Sequence, residues 1–196
     1  MKNLVVFASG SGTNFQAIID AVESGVFSAR IKGLIVNKNS IQAIDRAKKH
    51  NIPVEIIRRK DFNTKEDYIA CLRSTLHRWS PDLIVLAGYL RKIPDSIISI
   101  FHNQIINIHP SLLPKYGGKG YYGIHVHEAV LANEEKESGC TVHVVSEEYD
   151  QGHILGQTKV PVKPGDTPKI LQRRILEKEH QLLIQVIKEI LTKKES

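Results

Sequence analysis

Asn107 and His109 stand two residues apart at the end of an apolar run, in Ile105-Ile106-Asn107-Ile108-His109-Pro110-Ser111-Leu112-Leu113-Pro114. In a strand that spacing puts both side chains on one side. Pro110 stops the strand directly after His109. Two polar groups would then lie at the carboxyl edge of a parallel sheet, where open α/β proteins bind ligands. An amide can donate to a developing oxyanion. An imidazole can carry a proton near neutral pH. A third group comes from Gly139-Cys140-Thr141-Val142-His143-Val144-Val145-Ser146-Glu147-Glu148-Tyr149-Asp150-Gln151-Gly152, where a strand pattern leads into an acidic loop. A carboxylate from Asp150 beside His109 would raise that histidine's pKa and hold its ring. Such a trio suits transfer of a small acyl group onto an amine. The plainer alternative is a core histidine with a structural asparagine, a turn residue at Asp150 and a solvated loop at Glu147 and Glu148.

A second constellation is Ser9-Gly10-Ser11-Gly12-Thr13-Asn14, between a strand pattern and a helix pattern. Glycines let backbone approach a ligand, and a helix N-terminus offers free N–H groups to an anion. The alternative is a tight turn capped by Ser11 or Thr13. A dinucleotide fingerprint needs glycine at position 15, where Phe15 stands, and the strand ending at Val36-Asn37-Lys38 lacks the following acidic residue. The loop therefore suits one phosphate, and NAD is not expected.

Other candidates reduce to structure. His125, His127, His143 and His153 lack an H-E-x-x-H spacing or a cysteine cluster, so no metal is expected. Ser111 has no G-x-S-x-G elbow. Arg58-Arg59-Lys60 and Arg173-Arg174 read as solvated faces.

The elements that must position these residues alternate. Strand-length apolar runs cover 4–8, 31–36, 54–57, 83–87 and 104–108. Between them, helical spacing appears at Phe15, Ile18, Ile19 and Val22, over 41–50, over 65–79 and near 95–101. This repetition predicts a parallel sheet with right-handed crossovers and helices on both faces. Later, 141–145 alternates, a turn falls at Asp150-Gln151-Gly152, and 154–162 returns, as an antiparallel or mixed addition would. Thr167 and Pro168 suit the cap and first residue of a last helix running toward Lys193. Ile175, Leu182, Leu183, Val186, Ile187, Ile190 and Leu191 would face inward, and Lys188, Lys193 and Lys194 suit the helix dipole. The fold class expected is a Rossmann-like three-layer α/β/α sandwich, as one domain over 1–196.

Composition agrees with a globular chain: 196 residues, 41% hydrophobic and 24% charged. A net charge of +6 and a pI of about 9.3 suit anionic partners without choosing among them. Aromatics are only 6%, and the cations are scattered, unlike a nucleic-acid-binding stripe. Cys71 and Cys140 form no framework and read as reduced thiols. With neither a signal peptide nor an apolar membrane span, a cytoplasmic location is expected.

Asn-x-His-Pro-Ser-Leu-Leu-Pro at 107–114, with G-x-T-V-x-V-V-x-E-x-x-D-x-G at 139–152, resembles the folate-dependent formyltransferases. The glycine loop followed by Phe15-Gln16-Ala17-Ile18 is similar to the branch acting on a phosphorylated glycinamide. The resemblance covers nearly the whole chain. It implies 10-formyltetrahydrofolate as donor and 5-phosphoribosylglycinamide as acceptor, in purine synthesis. It implies that Asn107, His109 and Asp150 are catalytic: Asn107 and protonated His109 would stabilise the oxyanion of a tetrahedral intermediate, and Asp150 would hold His109 charged and assist proton transfer. It implies that Gly12, Thr13 and Asn14 hold the acceptor's phosphate, and that Leu176, Glu177, Lys178 and Glu179 reach its ribose and amine side, with Glu179 as main contact. Around the folate it places Leu90, Arg91, Lys92 and Ile93, with Asn107 and the loop Ser146, Glu147, Glu148, Tyr149 and Asp150. Lys65 stands where the family often has arginine, so a point charge replaces a bidentate fork in that folate contact.

The loop over 115–124 is longer than the short Pro-Gly loop common in relatives, and its glycines suggest a mobile flap over the acceptor. Relatives acting on methionyl-tRNA or a sugar nucleotide usually carry an extra C-terminal domain, and formyltetrahydrofolate hydrolases an N-terminal one. On that basis the expected protein is the phosphorylated-glycinamide enzyme, a monomer or weak homodimer with no nucleic-acid or membrane partner.

Overall fold

The computed structural model describes residues 1–193, so the expectation for Lys194 lies outside the described residues. Seven strands are ordered β3-β2-β1-β4-β5-β6-β7 in one sheet: β1 (Lys2–Ala8), β2 (Ala29–Val36), β3 (Val54–Ile56), β4 (Leu83–Leu86), β5 (Ile105–His109), β6 (Glu137–Val144) and β7 (Ile154–Pro161). The sheet is mostly parallel, with antiparallel strands at the C-terminal end and helices flanking it, as the alternation predicts. The chain divides into two compact units, Met1–Ile106 and Asn107–Ser196.

In the first unit, β1 pairs in parallel with β2 and β4, and β2 with β3. Residues 4–8 and 83–87 are buried, as continuous apolar runs in a sheet covered on both faces must be. Helix α1 (Thr13–Glu23) buries Phe15, Ile18 and Ile19 at helical spacing. Helices α2 (Gln42–Lys49), α3 (Lys65–Trp79) and α4 (Asp95–Ile100) follow within a residue or so of their apolar patterns. Gly33 in β2 lies under the Trp79 ring, where no side chain would fit.

In the second unit, β6 and β7 pair antiparallel, with Thr141 opposite Gln157. Helix α5 (Ile124–Ala132) is an element the periodicity did not reveal. It is short, follows the glycine-rich 117–123 stretch, and buries Val126, His127 and Val130, a polar residue among apolar ones. Helix α6 (Pro168–Lys193) packs on α5, β6 and β7. Its expected start holds, with the Ile170 N–H donating to Thr167 Oγ1 at 3.3 Å. Of the inward positions expected, Ile190 is only half-buried, while Leu171 and Glu179 join the buried face. Among the described residues no helix is long and apolar enough to cross a membrane.

Candidate active site

Strand β5 ends at His109, with Pro110 unable to extend the ladder. Asn107 is half-buried and His109 is 4% exposed. The chain after β5 is braced from below. Thr141 Oγ1 donates to the Ser111 carbonyl at 2.6 Å, and the Leu113 N–H donates to Thr141 Oγ1 at 3.1 Å. Ser111 Oγ donates to the Lys115 carbonyl at 2.6 Å, a structural role consistent with its missing elbow motif.

The same unit brings Asn107, His109 and Asp150 together. Asp150 sits at φ +55°, a left-handed conformation that a short polar residue tolerates. Two glycines make its seat. A Cβ on Gly152 would overlap the Val144 carbonyl, and one on Gly117 would lie 3.3 Å from the Asp150 Cβ. Asp150 Oδ2 accepts the Gly118 N–H at 2.9 Å and lies 3.7 Å from His109 Nδ1. Its Oδ1 lies 3.5 Å from Asn107 Nδ2 and 3.5 Å from His143 Nε2.

His143 also belongs to this cluster, a place that motif reading missed. It is buried in β6, and its Nδ1 is 2.9 Å from the Val144 carbonyl. Its Nε2 lies between Asn107 Nδ2 at 3.1 Å and Asp150 Oδ1 at 3.5 Å. The Asn107 amide nitrogen is thus held closest by His143, and its contact to Asp150 is the longer one, at 3.5 Å. A polar residue inside a buried strand run was the available signal.

His109 Nε2 is 2.8 Å from the Tyr116 carbonyl, so Nε2–H donates there and Nδ1 is left facing Asp150. Asp150 does pull the His109 pKa up, as expected, but it does not hold the ring charged against burial. Burial lowers the pKa, and this outweighs the raising pull of Asp150 and of the Tyr116 carbonyl, while His143 lowers it further. The ring is therefore neutral at rest. His127, buried on α5, has its pKa lowered to about 4 by burial and then by His109. Burial also opposes ionisation of Asp150, but His143, His109 and the Gly118 N–H outweigh it and hold the carboxyl below its usual range.

The long loop is anchored at its start. Tyr116 OH donates to Glu135 Oε1 at 3.0 Å, and the Tyr116 and Tyr121 rings meet edge to face at 5.8 Å. Leu176, Glu177, Lys178 and Glu179 lie on α6, where Glu179 is 8% exposed. The buried Cys140 thiol is pushed up to about 12, by burial and then by Glu179. Ser146 Oγ donates to the Glu148 carbonyl at 3.0 Å, and Glu147, Glu148 and Tyr149 are exposed.

In the first unit, Gly12 precedes α1 at φ +71° with no side-chain cap, so the capped-turn alternative does not hold. Buried Ser9 joins this loop to the 88–90 segment. Its N–H donates to the Gly88 carbonyl at 3.1 Å, and its Oγ accepts the Leu90 N–H at 3.0 Å. Leu90 is 50% exposed and Ile93 is buried, while Arg91 and Lys92 are exposed; Lys92 pairs with Asp95 at 2.8 Å. Lys65 opens α3 on the surface. Among the described residues no three His, Cys, Asp or Glu side chains are grouped to hold a metal ion.

Comparison with known proteins extends this geometry. The chain matches the formyl transferase family over residues 2–187. It is 42% identical over 186 residues to a chloroplastic phosphoribosylglycinamide formyltransferase of Vigna unguiculata, covering 95% of this chain and 60% of that protein. It covers 64% of a chloroplastic Arabidopsis thaliana relative, so it spans less than two thirds of both plant proteins. With the phosphoribosylglycinamide formyltransferase of Haemophilus influenzae it shares 39% identity over 188 residues, 96% of this chain and 86% of that one. The crystal structure of phosphoribosylglycinamide formyltransferase from Bacillus halodurans superposes with a TM-score of 0.91 at 34% identity, covering 98% and 97% of the two chains. A formyltetrahydrofolate deformylase from Pseudomonas syringae shares the fold, with a TM-score of 0.86 at 24% identity. A match running from residue 2 to 187, with relatives this similar over most of their own length, means that the chain belongs to the formyl transferase family.

Proposed function

We propose that this chain transfers the formyl group of 10-formyltetrahydrofolate to the amine of 5-phosphoribosylglycinamide, releasing the formylated acceptor and tetrahydrofolate in purine synthesis. The observation that carries this is the Asp150 carboxylate set among Asn107, His109, His143 and the Gly118 N–H. The relatives named for this reaction support the choice of acceptor.

The amine nitrogen attacks the formyl carbon, and a C–N bond forms as the carbonyl oxygen becomes an oxyanion. The loosely held N–H of Asn107 turns to that oxygen. His109, neutral at rest, takes the amine proton at Nδ1 through a water ordered by Asp150, and the carboxylate stabilises the imidazolium. His109 therefore becomes charged as the oxyanion develops. The proton then passes to the leaving folate nitrogen as its bond to carbon breaks, so charge and protons balance without a covalent enzyme intermediate.

In this reading Gly12, Thr13 and Asn14 hold the acceptor's phosphate, and Leu176, Glu177, Lys178 and Glu179 serve its ribose and amine. The exposed Leu90, with Ile93, offers apolar surface to the folate, Arg91 and Lys92 suit its glutamate carboxylates, and Lys65 adds a further cation. Asn107 and Ser146, Glu147, Glu148, Tyr149 and Asp150 complete the donor contacts. The stretch over 115–124 acts as a flap rooted at Tyr116 and Gly118. The family match runs across both compact units, which supports one formyltransferase domain over 1–196. The protein works in the cytoplasm as a monomer or weak homodimer, on small molecules and not on nucleic acid or membranes.

A spectroscopic assay for deformylated folate, run with and without 5-phosphoribosylglycinamide, tests the reaction. Turnover that requires the acceptor supports it. Turnover with water alone would make the chain a hydrolase instead, the activity in the name of the Pseudomonas syringae structural neighbour.

A further inference from the structure

We infer that Arg46, on α2, is the positioning residue that aims the peptide N–H groups of the Ser9–Asn14 loop at the acceptor's phosphate. The inference rests on the proposed role of Gly12, Thr13 and Asn14 in holding that phosphate.

Two successive carbonyls of the loop are tied to α2. The Ala43 N–H faces the Gly10 carbonyl at 3.3 Å, and Arg46 Nε donates to the Ser11 carbonyl at 2.9 Å. A trans peptide points its C=O and N–H in opposite directions, and the cis bond recorded in the chain is at Leu113-Pro114, outside this loop. Fixing the Gly10 carbonyl toward α2 therefore turns the Ser11 N–H away from α2. Fixing the Ser11 carbonyl does the same to the Gly12 N–H. The two amides then join the start of α1, whose N-cap residue Gly12 supplies no side-chain cap, as backbone donors of the kind that bind anions.

The clamp allows little slack. A Cβ on Gly12 would come within 2.8 Å of the Ala43 Cβ and 2.9 Å of its Cα, at a φ of +71° that disfavours any side chain. Arg46 also reaches the first turn of α1, where its Nη1 donates to Gln16 Oε1 at 3.1 Å. One guanidinium thus bridges the loop and the helix that follows it, a two-point contact that lysine cannot reproduce.

The test compares wild type, Arg46→Ala, Arg46→Lys and Gln16→Ala. For each, kcat and KM are measured with the phosphorylated acceptor, with the same acceptor lacking its phosphate, and with the folate donor. Inhibition by ribose 5-phosphate is measured alongside. Arg46→Ala is expected to raise KM for the phosphorylated acceptor about tenfold or more and to weaken ribose 5-phosphate by a similar factor, with kcat and both other KM values little changed. Arg46→Lys is expected to recover part of this. Gln16→Ala, which removes only the second bond and remains informative if Arg46→Ala does not fold, is expected to shift the same KM by a smaller factor. An unchanged KM for the phosphorylated acceptor, or equal rises for both acceptors, would overturn the role of Arg46 while leaving the phosphate seat standing. Wild type that handles both acceptors alike would instead overturn the phosphate seat, and the inference with it.

Discussion

His109 Nδ1 faces Asp150 Oδ2 at 3.7 Å, while its Nε2 is committed to the Tyr116 carbonyl at 2.8 Å. The ring is thus oriented from one side and left open to a proton on the other. Because burial lowers its pKa against the pull of Asp150, it must be neutral to accept that proton. The acid limb of kcat/KM is therefore expected below the ordinary histidine value of 6.5, with activity lost as pH falls through it. Asp150→Asn removes a raising influence, so the limb should move to still lower pH. A pH–rate profile checks both. A rate that rises on acidification would mean that His109 acts already protonated.

Removing either member of that pair should strike turnover directly. His109→Ala and Asp150→Asn are each expected to lower kcat roughly a hundredfold or more, as loss of one preorganised transition-state contact does. Steady-state kinetics with saturating substrates measures this. Nearly full activity in either variant would remove the assignment.

His143 should act through its neighbours. It orients Asn107 at 3.1 Å, and it lowers the His109 pKa. His143→Ala is expected to cost about tenfold or more in kcat and to raise the acid limb. His143→Gln, whose carbonyl oxygen can accept from Asn107, should recover part of kcat but not the original limb. A variant that loses stability while keeping its pH profile would show a purely structural role.

Gly152 tests the seat of Asp150. A methyl group there overlaps the Val144 carbonyl, a backbone atom with little room to yield. Gly152→Ala is expected to cost about 2 kcal/mol or more of stability, the scale of an overpacked site, by denaturant unfolding. An unchanged midpoint would contradict the packing described.

Arg174 and Asp166 fix the approach to α6 through two 2.7 Å bonds. The guanidinium beside Asp166 holds its carboxyl below the usual range, against the opposing effect of burial. A carboxyl with a depressed folded pKa contributes stability above its unfolded value and loses it as pH falls through the folded one. Arg174→Leu should therefore lower the unfolding midpoint at neutral pH and flatten its decline below the ordinary aspartate pKa of 3.8. Thermal unfolding from pH 7 downward in roughly one-unit steps reads this out.

The pairing of Asn107 with His109 was legible in the sequence because a strand of period two, stopped by a proline, leaves little freedom. The parallel order of the first strands was legible for the same reason: continuous apolar runs between helical patterns have one economical arrangement. Asp150 entered the site only by resemblance, since its place depends on Gly117, Gly118 and Gly152 folding around it. Helix α5 was hidden by glycines before it and a buried histidine within it. The sign of the His109 shift was hidden as well. A neighbouring carboxylate can be read from a motif, whereas the burial that outweighs it belongs to the packed structure.

The central claim is that the formyl carbon passes directly from the folate to the acceptor amine with the help of His109. Following a carbon-13 formyl label by NMR, with wild type and His109→Ala in parallel, tests it most directly. The account predicts that wild type moves the label from the donor to an amide on the phosphorylated glycinamide, with no free formate, and that the variant leaves it on the donor over the same period. Label released as formate by wild type, or transferred equally fast by the variant, would contradict it.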